Sequence, residues 1–163
     1  MDWSPWIKLL HVTAGFAFVL AHGTSAFTAI KLRGERDPAR VNALLDLSKF
    51  SLPTSDLAIL VLLASGIWAG FAGNYWGHLW IWISIAILVF LFAFMSLRGV
   101  RHHDEIRHAL GQPGFYDKKG APVPEADPAA LARALDSPRA MELAAVGGIG
   151  LLVLLWLMVV RPF

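Results

Sequence analysis

The chain has no cysteine, so disulfides, thiolate metal sites and redox thiols are excluded. It is also poor in charge. Asp, Glu, Lys and Arg make up 16% of its 163 residues against 56% hydrophobic residues, and the mean hydropathy is +0.57. Those values exclude a soluble domain of ordinary composition and point to a multispanning membrane protein. The motifs of soluble catalysis are missing as well: there is no phosphate-binding glycine loop, no His-Glu-x-x-His pair and no nucleophile elbow. No catalytic residue can be named on motif grounds, and any metal chemistry has to use His, Met or carboxylate side chains.

What the chain does have is long apolar runs. A stretch of about 20 apolar residues crosses about 30 Å of hydrocarbon, and four such runs lie at roughly 6–30, 53–72, 79–97 and 141–160. The predicted fold class is an all-α membrane protein: one membrane domain over 1–163, a bundle of four transmembrane helices, with loops at 31–52 and 98–140. The opening MDWSPW places Asp2 before Lys8 and offers no small-residue cleavage site, which predicts a retained first span.

Positive charge orients the bundle. Lys31, Arg33, Arg36, Arg40 and Lys49 lie between the first two spans, and seven further Lys and Arg lie between Arg98 and Arg139. The link AGNYWGH between spans two and three has none. The positive-inside rule therefore predicts two cytoplasmic loops and two periplasmic termini, in a bacterial inner membrane. All seven tryptophans (Trp3, Trp6, Trp68, Trp76, Trp80, Trp82 and Trp156) then fall in the outer half, as a one-sided aromatic belt. Trp80 and Trp82 cannot both face the same way, so one of them is free to wall an outer pocket. The pI of about 9.2 comes from the loops and implies contact with anionic lipid and not nucleic acid.

The two loops share a pattern, DPARVNALLD at 37–46 and DPAALARALD at 127–136. Asp caps a helix and Pro takes its first position, where a missing N–H costs nothing. Apolar residues follow at helical spacing, Val41, Leu44 and Leu45 in one copy and Leu131 and Leu135 in the other. Each loop is expected to carry a short amphipathic helix on the cytoplasmic face, giving two tandem helical hairpins. The segment QPGFYDKKGAPVPE reads as an exposed loop.

Apolar surface alone does not drive helices together in lipid, whereas small residues let them approach closely. Ser65, Gly66, Ala69, Gly70 and Gly73 of span two, and Ala140, Ala144, Gly147 and Gly148 of span four, are expected to face inward. In span one His11, Gly15, Phe18, His22, Ser25 and Ala29 form one stripe about 80° wide. His11 and His22 thus share a face, separated by about 16 Å of rise.

An ionisable residue within a span is a functional-site candidate, and imidazole is the commonest haem and metal ligand left without cysteine. His11 and His78 lie at the same end and are candidates to ligate one iron. His22 has no histidine at its depth, so it requires an outside ligand, a water or a hydroxyl such as Ser65 or Ser84. The alternative for each is an imidazole hydrogen-bonded between helices. His102, His103 and His108, in VRHHDEIRHAL, read as part of a solvated extension of span three. Asp56 reads as a first-turn helix charge and Glu142 as the partner of Arg139.

WIKLLHVTAGFAF resembles the first span of the HemJ-type protoporphyrinogen oxidases and of the CopD-like copper-resistance membrane proteins. SGIWAGF is similar to their exit from the second span, and GHLWIWISIAILVFLF to their third span and that of other four-helix bacterial membrane proteins. The resemblance covers about 100 residues. It implies a haem ligand at His11. The HemJ-type enzymes have an essential lysine early in the third span, whereas here no lysine lies between Lys49 and Lys118, and Trp80 and Trp82 occupy that neighbourhood. Haem binding is implied, and protoporphyrinogen oxidation is not.

Three functions follow as expectations. The first is a haem b protein in electron transfer or oxidation of a lipophilic substrate, a quinol or a porphyrinogen, with His11, His78 and His22 as candidate ligands and Trp80 and Trp82 as walls. The second is non-enzymatic copper handling, although Met95, Met141 and Met158 are scattered along the chain. The third is an accessory or structural subunit. Partners are membrane lipids, a lipophilic small molecule or redox partner, and further copies of the chain.

Overall fold

The computed structural model describes residues 4–115 and 117–163; Trp3 of the aromatic belt, Asp2 and Tyr116 lie outside them. Six α-helices follow one another, α1 (Ser4–Gly34), α2 (Pro38–Ala72), α3 (Leu79–Phe94), α4 (Val100–Ala109), α5 (Pro128–Asp136) and α6 (Arg139–Val160). A 3-10 turn at Tyr75–Gly77 precedes α3, and a π turn at Met95–Gly99 joins α3 to α4. No strand occurs among the described residues, and four helical stretches are long and apolar enough to cross a membrane.

The four long helices form a ring. α1 packs on α2 and α6, and α3 packs on α6 and on α2, so α1 and α3 lie diagonally opposite. The described part of the N-terminus, the α2–α3 turn and the C-terminus share one end, here the terminal end; the opposite, charged end is the loop end. The outward face is apolar, with Phe16, Leu20, Phe27 and Leu152 all exposed, as lipid-facing positions are.

Both Asp-Pro helix starts are present. The Asp37 carboxylate accepts from the N–H of Ala39 at 2.9 Å, and that of Asp127 from Ala129 and Ala130 at 2.8 and 3.0 Å. The first amphipathic helix is not separate, however. DPARVNALLD opens α2, which runs unbroken for 35 residues into span two, with Pro53 inside it. Pro53 offers no N–H to the carbonyl of Lys49. The turn around it is held by hydroxyls: Ser51 donates to the Ser48 carbonyl at 2.9 Å and meets Ser25 of α1 at 2.6 Å, and Thr54 donates to Phe50. Such local hydroxyl bonding is what lets membrane helices tolerate proline. Asp56, in consequence, lies in mid-helix and not in a first turn.

Nor do the amphipathic faces lie on lipid. Val41 and Leu45 of α2, Leu131 and Leu135 of α5, Leu32 of α1 and Ile106 of α4 form one buried core. Both copies of the repeated motif contribute to it, and Arg36 pairs with Asp136 at 2.7 Å between them. At this charged end water supplies the driving force that lipid does not, and a fully buried Val, Leu or Ile is worth about 1.5–3 kcal/mol. The same core buries His102 (2% exposed) and His103 (8%), which corrects the reading of VRHHDEIRHAL as solvated. Arg139 pairs with Glu105, and Glu142 with Arg98 at 3.4 Å, so the expected Arg139–Glu142 pair is replaced by two ties to neighbouring turns.

Candidate functional site

The predicted stripe of α1 does face inward: Phe18 and Ala29 are buried, and His11, Gly15, His22 and Ser25 are half-buried. The two imidazoles meet different surroundings. His11 Nδ1 lies 3.0 Å from Ser65 Oγ, and Ser65 donates its own proton to the Val61 carbonyl at 2.6 Å, so Nδ1 of His11 carries the hydrogen. The ring lies against Gly66, where a Cβ would stand 3.0 Å from Cε1. His11 is therefore committed to α2.

His78 is exposed, on the turn that begins α3, and makes no cap hydrogen bond. With α1 and α3 on opposite corners of the ring, His11 turned to α2 and His78 outward, the structure does not bring this pair together. Trp80 and Trp82 do point apart, one buried and one exposed. Tyr75, Trp76, Trp80 and Trp82 pack as rings on one another, and Arg161 lies over Tyr75 and Trp80. The indole of Trp82 donates to the Trp76 carbonyl at 3.1 Å. These aromatics close the terminal end.

His22 is stacked on Phe18 with ring centroids 5.7 Å apart, and its Nε2 is buried without a partner. Ser65 is taken by His11, and Ser84 donates to the Trp80 carbonyl at 2.8 Å, so neither expected hydroxyl reaches it. Its ring fills the space beside Gly147 of α6. A Cβ there would overlap Nε2 and stand 3.0 Å from the methyl of Met95. His22 Nε2 and the end of Met95 thus converge on one bare stretch of α6 backbone. Gly147, not Gly148, is the inward glycine; Gly148 looks onto open space.

A cavity of about 90 Å³ opens here, lined among others by His22, Ser25, Asp56, Met95, Ser96 and His103. The π turn forms part of its wall, through Met95, Ser96 and Gly99. π turns insert one residue into a helix and recur at functional sites. Asp56 has no hydrogen bond or ion pair among the described residues, so the cavity lining carries a carboxyl group without a protein partner there. A second cavity of about 120 Å³ lies toward the loop end, lined by Lys49, His103, Asp104 and Arg107 under Gly114 and Phe115. His103 and Phe115 line both.

The 111–120 loop is tied down over these cavities. His108 Nε2 meets Asp117 Oδ2 at 2.8 Å, the Gly114 N–H donates to the same oxygen at 2.7 Å, and the Phe115 N–H donates to Asp104. The Gly114 N–H, with His108 behind it, holds the Asp117 carboxyl below the usual carboxylate range.

Sequence reasoning put His22 and Ser25 on one inward stripe but did not bring Asp56, Met95 and His103 to them. These three come from α2, the π turn and α4, and no spacing along the chain signals that. No three His, Asp or Glu residues converge as a ready-made metal site among the described residues. Comparison of the chain with protein-family models, with curated proteins and with solved structures finds no match.

Proposed function

We propose that the protein works in a bacterial inner membrane with both termini periplasmic, and that it handles copper(I) at the His22 cavity. The observation that carries this reading is the convergence of His22 Nε2 and the Met95 thioether end on Gly147, in a cavity that Asp56 also lines. Thioether is a soft donor that copper(I) prefers and imidazole also suits copper, and the Asp56 carboxyl lines the same cavity. The bare glycine lets both side chains reach the same stretch of α6.

The haem b reading ranks second. Its support is the free Nε2 of His22, and His11, whose Nδ1 hydrogen is held by Ser65, also keeps an Nε2 lone pair for an axial position. A tetrapyrrole is several times larger than a cavity of about 90 Å³, so haem requires the four helices to part. Electron transfer or oxidation of a quinol-like or porphyrinogen-like substrate depends on that opening.

The test is metal analysis and an absorption spectrum of the detergent-purified full chain, followed by copper(I) competition against a chelator. One copper per chain is the expected result, with affinity falling roughly tenfold or more in His22→Leu and in Met95→Leu, at least the effect of losing an outer-shell partner. A Soret band that disappears in His22→Ala moves the assignment to haem. A colourless, copper-free protein leaves the accessory-subunit reading in place of both.

A further inference from the structure

The second cavity holds polar groups that the copper reading does not use. Arg107 has a side chain only 12% exposed, yet its contacts are long, 3.3 Å to Asp46 and 3.4 Å to Gln112. A guanidinium has five N–H donors, so two long bonds leave most of its capacity unspent. Lys49 makes no ion pair among the described residues. Asp104 is the acid in the lining, and one of its oxygens accepts the Phe115 N–H. Within the lining Lys49 and Arg107 face the single acid Asp104, while Asp46, outside the lining, holds Arg107 from one side at 3.3 Å.

His103 adds a different demand. Its Nδ1 lies 2.8 Å from the Gly99 carbonyl oxygen, which can only accept, so Nδ1 carries the hydrogen. In the neutral ring Nε2 is then a lone pair, and it is buried without a partner. A buried acceptor left unpaired is costly, so a ligand that donates a hydrogen here gains by it. The site asks for an anion with several accepting oxygens and one O–H.

We propose that this cavity binds a protonated phosphate oxyanion, as free hydrogen phosphate or as the headgroup of a phosphomonoester, with Lys49 and Arg107 on its oxygens and His103 Nε2 accepting its hydroxyl. Hydrogen phosphate and monoesters of the phosphatidic acid type carry that hydroxyl. Sulfate and phosphodiesters such as phosphatidylglycerol match the charge but have no acidic hydrogen to give, and they bring an oxygen lone pair against that of Nε2. A four-oxygen anion is of a size for about 120 Å³, and the rest of any larger molecule leaves past Phe115, which is half exposed.

The experiment is equilibrium dialysis of the detergent-purified full chain with labelled inorganic phosphate near neutral pH, with sulfate as competitor. In parallel, thermal shifts are read with short-chain phosphatidic acid and with short-chain phosphatidylglycerol. Phosphate is expected to bind one per chain and sulfate roughly tenfold or more weaker, as for an analogue that leaves a buried group unpaired. Lys49→Gln, at an exposed position, weakens phosphate binding while the chain melts as the parent does. His103→Leu erases the preference for phosphate over sulfate. Binding of phosphatidic acid without free phosphate assigns the site to a lipid headgroup, and binding of both assigns it to the ion. Equal binding of phosphate and sulfate, equal shifts with the two lipids, or no binding by any of them overturns the proposal. Copper content bears on none of these outcomes.

Discussion

The two histidines of α1 sit on one stripe of one helix, and the bundle treats them in opposite ways. At the terminal end His11 is paired with Ser65 and pressed on Gly66. In the loop half His22 has a free Nε2 among the described residues, and its cavity shares the wall residue His103 with a second cavity. Sharing a helical face decides which way a side chain points. Whether it finds a partner depends on the residue that happens to stand opposite, here a serine for one and a glycine for the other.

Three measurements sharpen or break that contrast. The largest effect is expected at Gly147, where Ala drives a methyl into the His22 ring; overpacking of this kind costs about 1–3 kcal/mol. Gly148→Ala faces open space and gains up to about 1 kcal/mol from helix propensity. Thermal midpoints in detergent should therefore split in opposite directions, and coincident midpoints would mean that His22 is not packed on α6. Next comes Ser65→Ala, which strands the Nδ1 hydrogen of His11 at a cost of about 1–2 kcal/mol, while His22→Leu, replacing an imidazole that has no partner, is near neutral. If His22→Leu proved the more damaging of the two, the contrast would be reversed.

The smallest effect concerns pH. The folded-state pKa of Asp117 is depressed, so its tie to the 111–120 loop is complete above the usual carboxylate range and fades as pH falls through the depressed value. Protection of the Gly114 amide, relative to the intrinsic exchange rate at each pH, should fall in acid, and Asp117→Asn should remove that dependence. Loss of protection as pH rises would contradict the assignment.

The spans were legible in the sequence because lipid imposes a minimum run length and the chain supplies four such runs. The inward stripe of α1 and both Asp-Pro starts were legible because period and capping are local properties. The continuity of α2 was not: Pro53 reads as a helix start until Ser25, on another helix, is seen to meet Ser51. The burial of His102 and His103 was hidden for a related reason. Four charged residues in VRHHDEIRHAL resemble a solvated face, yet Val41, Leu45, Leu131 and Leu135 arrive from two distant segments to cover the other side of that helix. The site itself was half legible. His22 stood out as an ionisable group in a span, whereas Met95 and Asp56 acquire meaning only from the ring order of the helices.

The π turn at Met95–Gly99 is in effect an insertion carried within a helix. Span three and the charged segment beyond it are out of phase by one residue, about 100° on the helical wheel. Take that residue away, by deleting any one of the five, and an uninterrupted α-helix remains, but His103 turns out of the partition between the two chambers. One residue of helical phase therefore decides whether the two cavities share that wall, without any change in the composition of the chain on either side.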